Sequence, residues 1–179
     1  GQGDAAVLEL PGSKVMLVDA GGAAVGDFDT GEAIVAPYLR SRILTEFSPQ
    51  EFWSGSARGQ TIRFDDLDEA VTQANISRVA LDDRQPCRKI DPITLCALYP
   101  AADKSEEGSV VLRLEFGNLR YLFAGDIDKR DETLLLQRAD EVRSAVLKVP
   151  RHGSPTASTR EFIAGVRPAV AVISAGARS

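Results

Sequence analysis

The chain has 179 residues, of which 44% are hydrophobic and 26% charged, with a formal net charge of −5. That length suits one domain with a sizeable core, and the composition excludes disordered and fibrous classes. No apolar run reaches the length of a membrane span, no signal peptide is recognisable, and the acidic balance excludes indiscriminate attraction to nucleic acid.

In chain order, GQGD at 1–4 has the glycines of a phosphate loop. It precedes a strand, however, instead of following one and opening a helix, so a nucleotide-binding reading fails. Residues 5–10 form a short apolar strand, PGSK (11–14) a turn, and 15–18 a returning strand that ends at Asp19 and a glycine pair. Residues 21–31 are loop. Residues 32–42 place Ile34, Val35, Tyr38 and Leu39 at helical spacing, with Pro37 in the first turns, where proline is tolerated. Beyond Ile43, helix-like and strand-like pieces follow one another closely. Residues 65–75 predict a helix whose early acids suit the positive end of its dipole, a structural role in preference to a cation site. Cys87 and Cys96 have neither zinc-ribbon nor thioredoxin spacing. They flank the turn-like KIDP, where a hairpin could bring them face to face. The redox compartment stays open.

The second half repeats the opening order. Strands are predicted over 93–99 and 110–116, then the turn GNLR, then a strand over 121–124 that ends at Gly125 and Asp126. A helix over 132–142, a strand over 145–149, the loop holding His152, a short helix over 159–165 and a strand over 169–174 complete it. Both halves run hairpin, helix, strand, and both hairpins close on an aspartate, Asp19 and Asp126. The expected fold is an α/β sandwich, two mixed β-sheets face to face with helices outside. It is read as one domain, 1–179.

His152 is the chain's single histidine, in KVPRHGSPTAS. It follows one strand end and Asp126 follows another, where loops commonly carry function. Aspartate and histidine are sensible ligands for zinc or manganese, and such a cation can activate water against a phosphoryl group. Spacing alone also admits a purely structural pair. Five basic residues (Arg143, Lys148, Arg151, Arg160, Arg167) against one acid, Glu161, concentrate positive charge around this loop, either as a solvated face or as a phosphate contact. No GxSxG is present, and a single histidine without a placed nucleophile makes no triad.

Several segments in matching order carry a resemblance: GQGD, VDAGG, PYLRSR, AGD and KVPRHGS. Together they resemble the metallo-β-lactamase-fold domain of the ComEC-type DNA-uptake proteins of bacterial competence, over almost the whole chain. The resemblance implies an αββα sandwich with one or two metal ions, zinc or manganese, at the sheet edge. It implies phosphodiester hydrolysis that degrades the non-transported DNA strand, with single-stranded DNA as partner and no small-molecule cofactor. It further implies a soluble part of a bacterial cytoplasmic membrane protein, facing the periplasm or exterior, with the membrane channel on the same polypeptide. Carried over by motif, Asp126 and His152 are the catalytic metal ligands. Asp19 braces the metal loop and Asp4 approaches the site, both from behind the ligands. Arg151, Ser154 and Lys148 are the expected phosphate contacts.

The chain departs from that pattern at three places. PYLRSR leads in the family to an HxHxDH metal loop, whereas here Ile43 passes directly to LTEFSPQEFW. The chain stops at VISAGARS, where the family continues to an FGHP histidine, and Arg151 stands where the family has the first of two histidines. Either a segment between Ile43 and Leu44 is missing from this chain, or the metal loop has been lost. Losing an internal strand would leave unpaired buried backbone, which favours the missing segment. A metal loop is ordered by its metal, so such a chain is expected metal-free. Two rival readings stand beside the nuclease: a degenerate domain that binds DNA or supports channel assembly, and a free-standing hydrolase of this fold with another substrate.

Overall fold

The structure of the protein is a computed structural model, and it describes residues 5–10, 14–19, 36–41, 51–55, 72–81, 87–99 and 109–175. The chain divides into two compact units, Gly1–Ser48 with Ser174–Ser179, and Pro49–Ile173. In the first, β1 (Ala6–Leu10) and β2 (Lys14–Val18) pair antiparallel, Ala6 opposite Val18 and Leu10 opposite Lys14, as the opening hairpin predicts. Asp19 follows with φ 60°. Helix α1 (Ala36–Ser41) occupies part of the helix expected over 32–42. Asp4, the Ile43–Leu44 junction and most of the helix expected over 65–75 lie outside the described residues.

The second unit is built on a six-stranded mixed sheet in the order β10-β9-β8-β7-β6-β5. The strands are β5 (Cys87–Ile90), β6 (Ile93–Tyr99), β7 (Val111–Phe116), β8 (Leu119–Phe123), β9 (Val146–Lys148) and β10 (Val170–Val172). From β5 to β8 the pairing is antiparallel, and β8, β9 and β10 are parallel. Within β6, Leu95, Cys96, Ala97 and Leu98 are all buried, the continuous apolar run of a strand covered on both faces. Across the β5–β6 hairpin Cys87 and Cys96 are direct partners and form a disulfide. Two further strands, β3 (Glu51–Gly55) and β4 (Ser77–Leu81), pair parallel. Arg88 of β5 joins them to the hairpin, ion-paired with Glu51 and lying 5.3 Å from the ring centre of Trp53.

Helices cover one sheet face: α2 (Lys129–Leu135), α3 (Ala139–Val142) and α4 (Arg160–Val166). Leu135, Val142, Phe162 and Val166 pack with Leu98, Val111, Leu122 and Leu147 of the strands. The helix expected over 132–142 starts earlier and breaks. Asp128 caps it, accepting from the N–H groups of Arg130 (2.8 Å) and Asp131 (3.2 Å), while the Asp131 carboxylate accepts from the Asp128 N–H at 3.0 Å. This reciprocal capping box fixes the start. A 3-10 turn over Leu136–Arg138 then bends the chain into α3. The mixed α/β class agrees with the sequence expectation.

Phe162 is among the largest fully buried side chains. Truncation to alanine should lower unfolding free energy by about 3–5 kcal/mol, read from urea denaturation; a loss under about 1 kcal/mol would remove it from the core.

Candidate functional site

Parallel β8 and β9 deliver their following loops to the same sheet edge, with Tyr121 opposite Val146 and Phe123 opposite Lys148. After β8, Ala124 is buried, Gly125 takes φ 56°, and Ile127 is fully buried. Between these two anchors Asp126 has nowhere to go but outward, and its side chain is 65% exposed. A side chain on Gly125 is barred twice, by its left-handed conformation and by the Val110 carbonyl oxygen 2.9 Å from where Cβ would lie.

After β9, Val149 and Pro150 are buried, and Arg151, His152 and Gly153 then take φ of 48°, 54° and 80°. Left-handed backbone at arginine and histidine costs about 1 kcal/mol or more each and persists only where surroundings impose it. They do. The Arg151 N–H donates to the Gly125 carbonyl at 3.1 Å, and the Ser154 N–H donates back to the Arg151 carbonyl at 2.9 Å. The turn swings His152 toward Asp126, Nε2 to Oδ1 3.8 Å, with the imidazole 18% exposed.

Glu132, which no local sequence signal singles out, holds this loop from below. Its side chain is wholly buried, and its carboxylate accepts from the N–H groups of Ser158 and Thr159 and from the Thr159 hydroxyl, the last two at 2.9 and 2.6 Å. Thr159 in turn caps α4, its Oγ1 accepting from the Phe162 N–H at 3.2 Å. A buried carboxylate in the helix after Asp126 thus anchors the segment after His152. Only the apolar surroundings that a helix and sheet create around Glu132 distinguish it from the neighbouring Asp131.

The other expected residues divide. Ser154 Oγ lies 2.9 Å from Thr156 Oγ1 and accepts from the Thr156 N–H at 3.3 Å, which makes it part of the turn. Arg151 is half-buried, at the same edge as His152. Lys148 is buried on the sheet face opposite Leu147, and desolvation lowers its pKa from the ordinary lysine value. Asp19 belongs to the other compact unit. The expected basic concentration around His152 also splits: Arg143 and Arg167 precede β9 and β10, at the opposite ends of these strands.

Two ligands of one tetrahedral zinc, each bonded at about 2.1 Å, lie roughly 3.4 Å apart. The 3.8 Å between Asp126 Oδ1 and His152 Nε2 fits two donors to one cation after a small adjustment. Among the described residues no third histidine, cysteine or acid joins them.

The chain is similar to ComE operon protein 3 of Bacillus subtilis. The identity is 32% over 115 residues, covering 61% of this chain and 15% of that protein. It is also 27% identical over 194 residues to Uncharacterized protein YcaI of Escherichia coli, covering 98% of this chain and 24% of the relative. The chain therefore spans a quarter or less of the length of these curated relatives. No family model matches it. The similarity makes the chain a distant relative of part of ComE operon protein 3.

Two measurements probe this architecture. Glu132→Gln places an amide NH2 against donor N–H groups, so unfolding free energy should fall by about 1–3 kcal/mol, with faster amide exchange at Ser158 and Thr159; unchanged exchange there would dismiss the anchor. Because desolvation lowers the folded-state pKa of Lys148, the unfolded chain holds more protons than the folded one below 10.5, and stability gains with pH as it rises through that window. Lys148→Met should therefore be more stable than the parent at pH 7, with the advantage shrinking as pH rises to about 10. A pH-independent difference would assign the effect to packing alone.

Proposed function

We propose that this chain is a metal-dependent hydrolase domain of metallo-β-lactamase-like αββα architecture, a nuclease that cleaves single-stranded DNA during natural transformation. The observation that carries the reading is the convergence of Asp126 and His152 from two strand-end loops to 3.8 Å. Paired oxygen and nitrogen donors held by a strained, stitched turn suit a zinc or manganese ion. When bound, such an ion polarises a phosphoryl oxygen and lowers the pKa of water. The protein's part is to hold the two donors, to present them at an open edge, and to place the Arg151 cation beside them for a phosphate oxygen. A complete coordination sphere would need donors beyond these two.

Similarity to a ComE operon protein supports the competence setting, with the channel portion of a longer polypeptide as the natural neighbour. The Cys87–Cys96 disulfide supports a bacterial location on the outer side of the cytoplasmic membrane, because such bonds persist in oxidising compartments. A second reading, a non-catalytic DNA-binding or assembly domain, draws on Arg151, which supplies no metal ligand where a histidine would.

The deciding experiment incubates the purified chain with labelled single-stranded DNA, with and without manganese or zinc, alongside metal analysis. Metal-dependent cleavage that falls about 100-fold or more in Asp126→Ala and His152→Ala is the expected result. Stoichiometric metal without cleavage would reject the substrate; absence of both would leave the non-catalytic reading standing.

A further inference from the structure

At the amino ends of β8, β9 and β10, on the edge opposite Asp126 and His152, the sheet carries an open groove of about 500 Å³. Three loops meet there through backbone hydrogen bonds: Ala145 N–H to the Arg120 carbonyl at 2.9 Å, Ser144 N–H to Val166 at 3.0 Å, and Ala169 N–H to Ala145 at 2.8 Å. The groove is lined by Arg120, Arg143 and Arg167 with small residues between them, and Glu115 is its single acid. Glu115 is already committed. Its Oε1 lies 3.1 Å from both Arg113 Nη2 and Arg120 Nε, and Arg120 Nη1 also donates to the Asp140 carbonyl at 3.3 Å. Arg143 and Arg167 are exposed, and their guanidinium groups make no hydrogen bond or ion pair among the described residues.

We infer that this groove is a second anion site that holds the phosphodiester backbone of a nucleic-acid strand, away from the Asp126–His152 edge. Guanidinium groups match phosphate oxygens with two parallel donors. The lining has no aromatic ring on which a base could stack and no large apolar side chain for a hydrophobic ligand. What remains is a positive, sequence-blind contact, in a chain whose net charge of −5 gives no attraction elsewhere by default. Opposite strand ends are roughly 15–20 Å apart at about 3.3 Å per residue, so one strand passing around the sheet can touch both edges. The inference rests on nucleic acid as the substrate, but not on hydrolysis.

The test is fluorescence anisotropy of a labelled 20-nucleotide single strand with the full chain in chelator, where cleavage and metal binding are both silent. Arg143→Gln with Arg167→Gln should weaken binding about tenfold or more in 50 mM salt. It should also flatten the log-affinity against log-salt slope by roughly 1.4, two contacts at about 0.7 each. Lys89→Gln on the far edge strand should leave both values unchanged. An unaltered melting temperature in the double variant confirms that folding is intact. Equal binding by the double variant and the parent overturns the groove while leaving the hydrolase reading untouched. No DNA binding by the parent overturns it too, and if inorganic phosphate then raises the melting temperature of the parent but not of the variant, the groove belongs to a small phosphate.

Discussion

The buried carboxylate of Glu132 is the constraint on which the candidate site depends. A buried carboxyl group is tolerated only when its oxygens find donors, and here three donors from Ser158 and Thr159 meet them. Those donors belong to the segment after His152, whereas Glu132 belongs to the helix launched from the turn of Asp126. Satisfying those oxygens therefore fastens the two halves of the site to each other. The Arg151–Gly125 backbone bond does the same from above. Strand pairing brings the two loops to one edge; these stitches set the last few ångströms and hold Arg151 and His152 in left-handed backbone that neither would choose alone.

The same parallel strands give the unit two chemically different ends. Their carboxyl ends display an acid and an imidazole side by side. Their amino ends collect arginines, two of which are unpaired among the described residues, a setting for anions. Read along the chain, Arg143, Lys148, Arg151, Arg160 and Arg167 look like one basic cluster. In the fold they divide, because each strand carries residues before it to one edge and residues after it to the other. Lys148, within β9, goes to neither edge and is buried.

Much of the second unit was legible because its signals are local. Alternation and the GNLR turn identify the β7–β8 hairpin, and the observed strands fall within one or two residues of the expected ones. The AGD and HGS segments stand out as strand-end loops for the same reason. The helix after Asp126 was read too late and too long. Its capping acid Asp128 lies in an acid-rich stretch where several residues could start a helix, and no proline or glycine marks the 3-10 turn at Leu136–Arg138. Strands β3 and β4 are short and, among the described residues, pair only with each other, across a long stretch of chain, while Arg88 of β5 meets Glu51 and Trp53. The nine-residue spacing of Cys87 and Cys96 allowed a cross-hairpin bond, but only the strand register made them partners.

By itself, then, the sequence determined the α/β class, the order of most elements in the second half, and the two residue types fit to hold a cation. Those follow from side-chain period, turn residues and chemistry confined to a few neighbours. Tertiary structure alone decided that Asp126 and His152 stand 3.8 Å apart, that Glu132 and not another acid is the anchor, and that the arginines gather on the opposite edge. The physical reason is distance along the chain. The Glu132 contacts span 26 and 27 residues, and the alignment of β8 with β9 is equally remote. Such pairings are set by which buried charges and backbone groups must be satisfied together, a condition that exists only once the chain has folded.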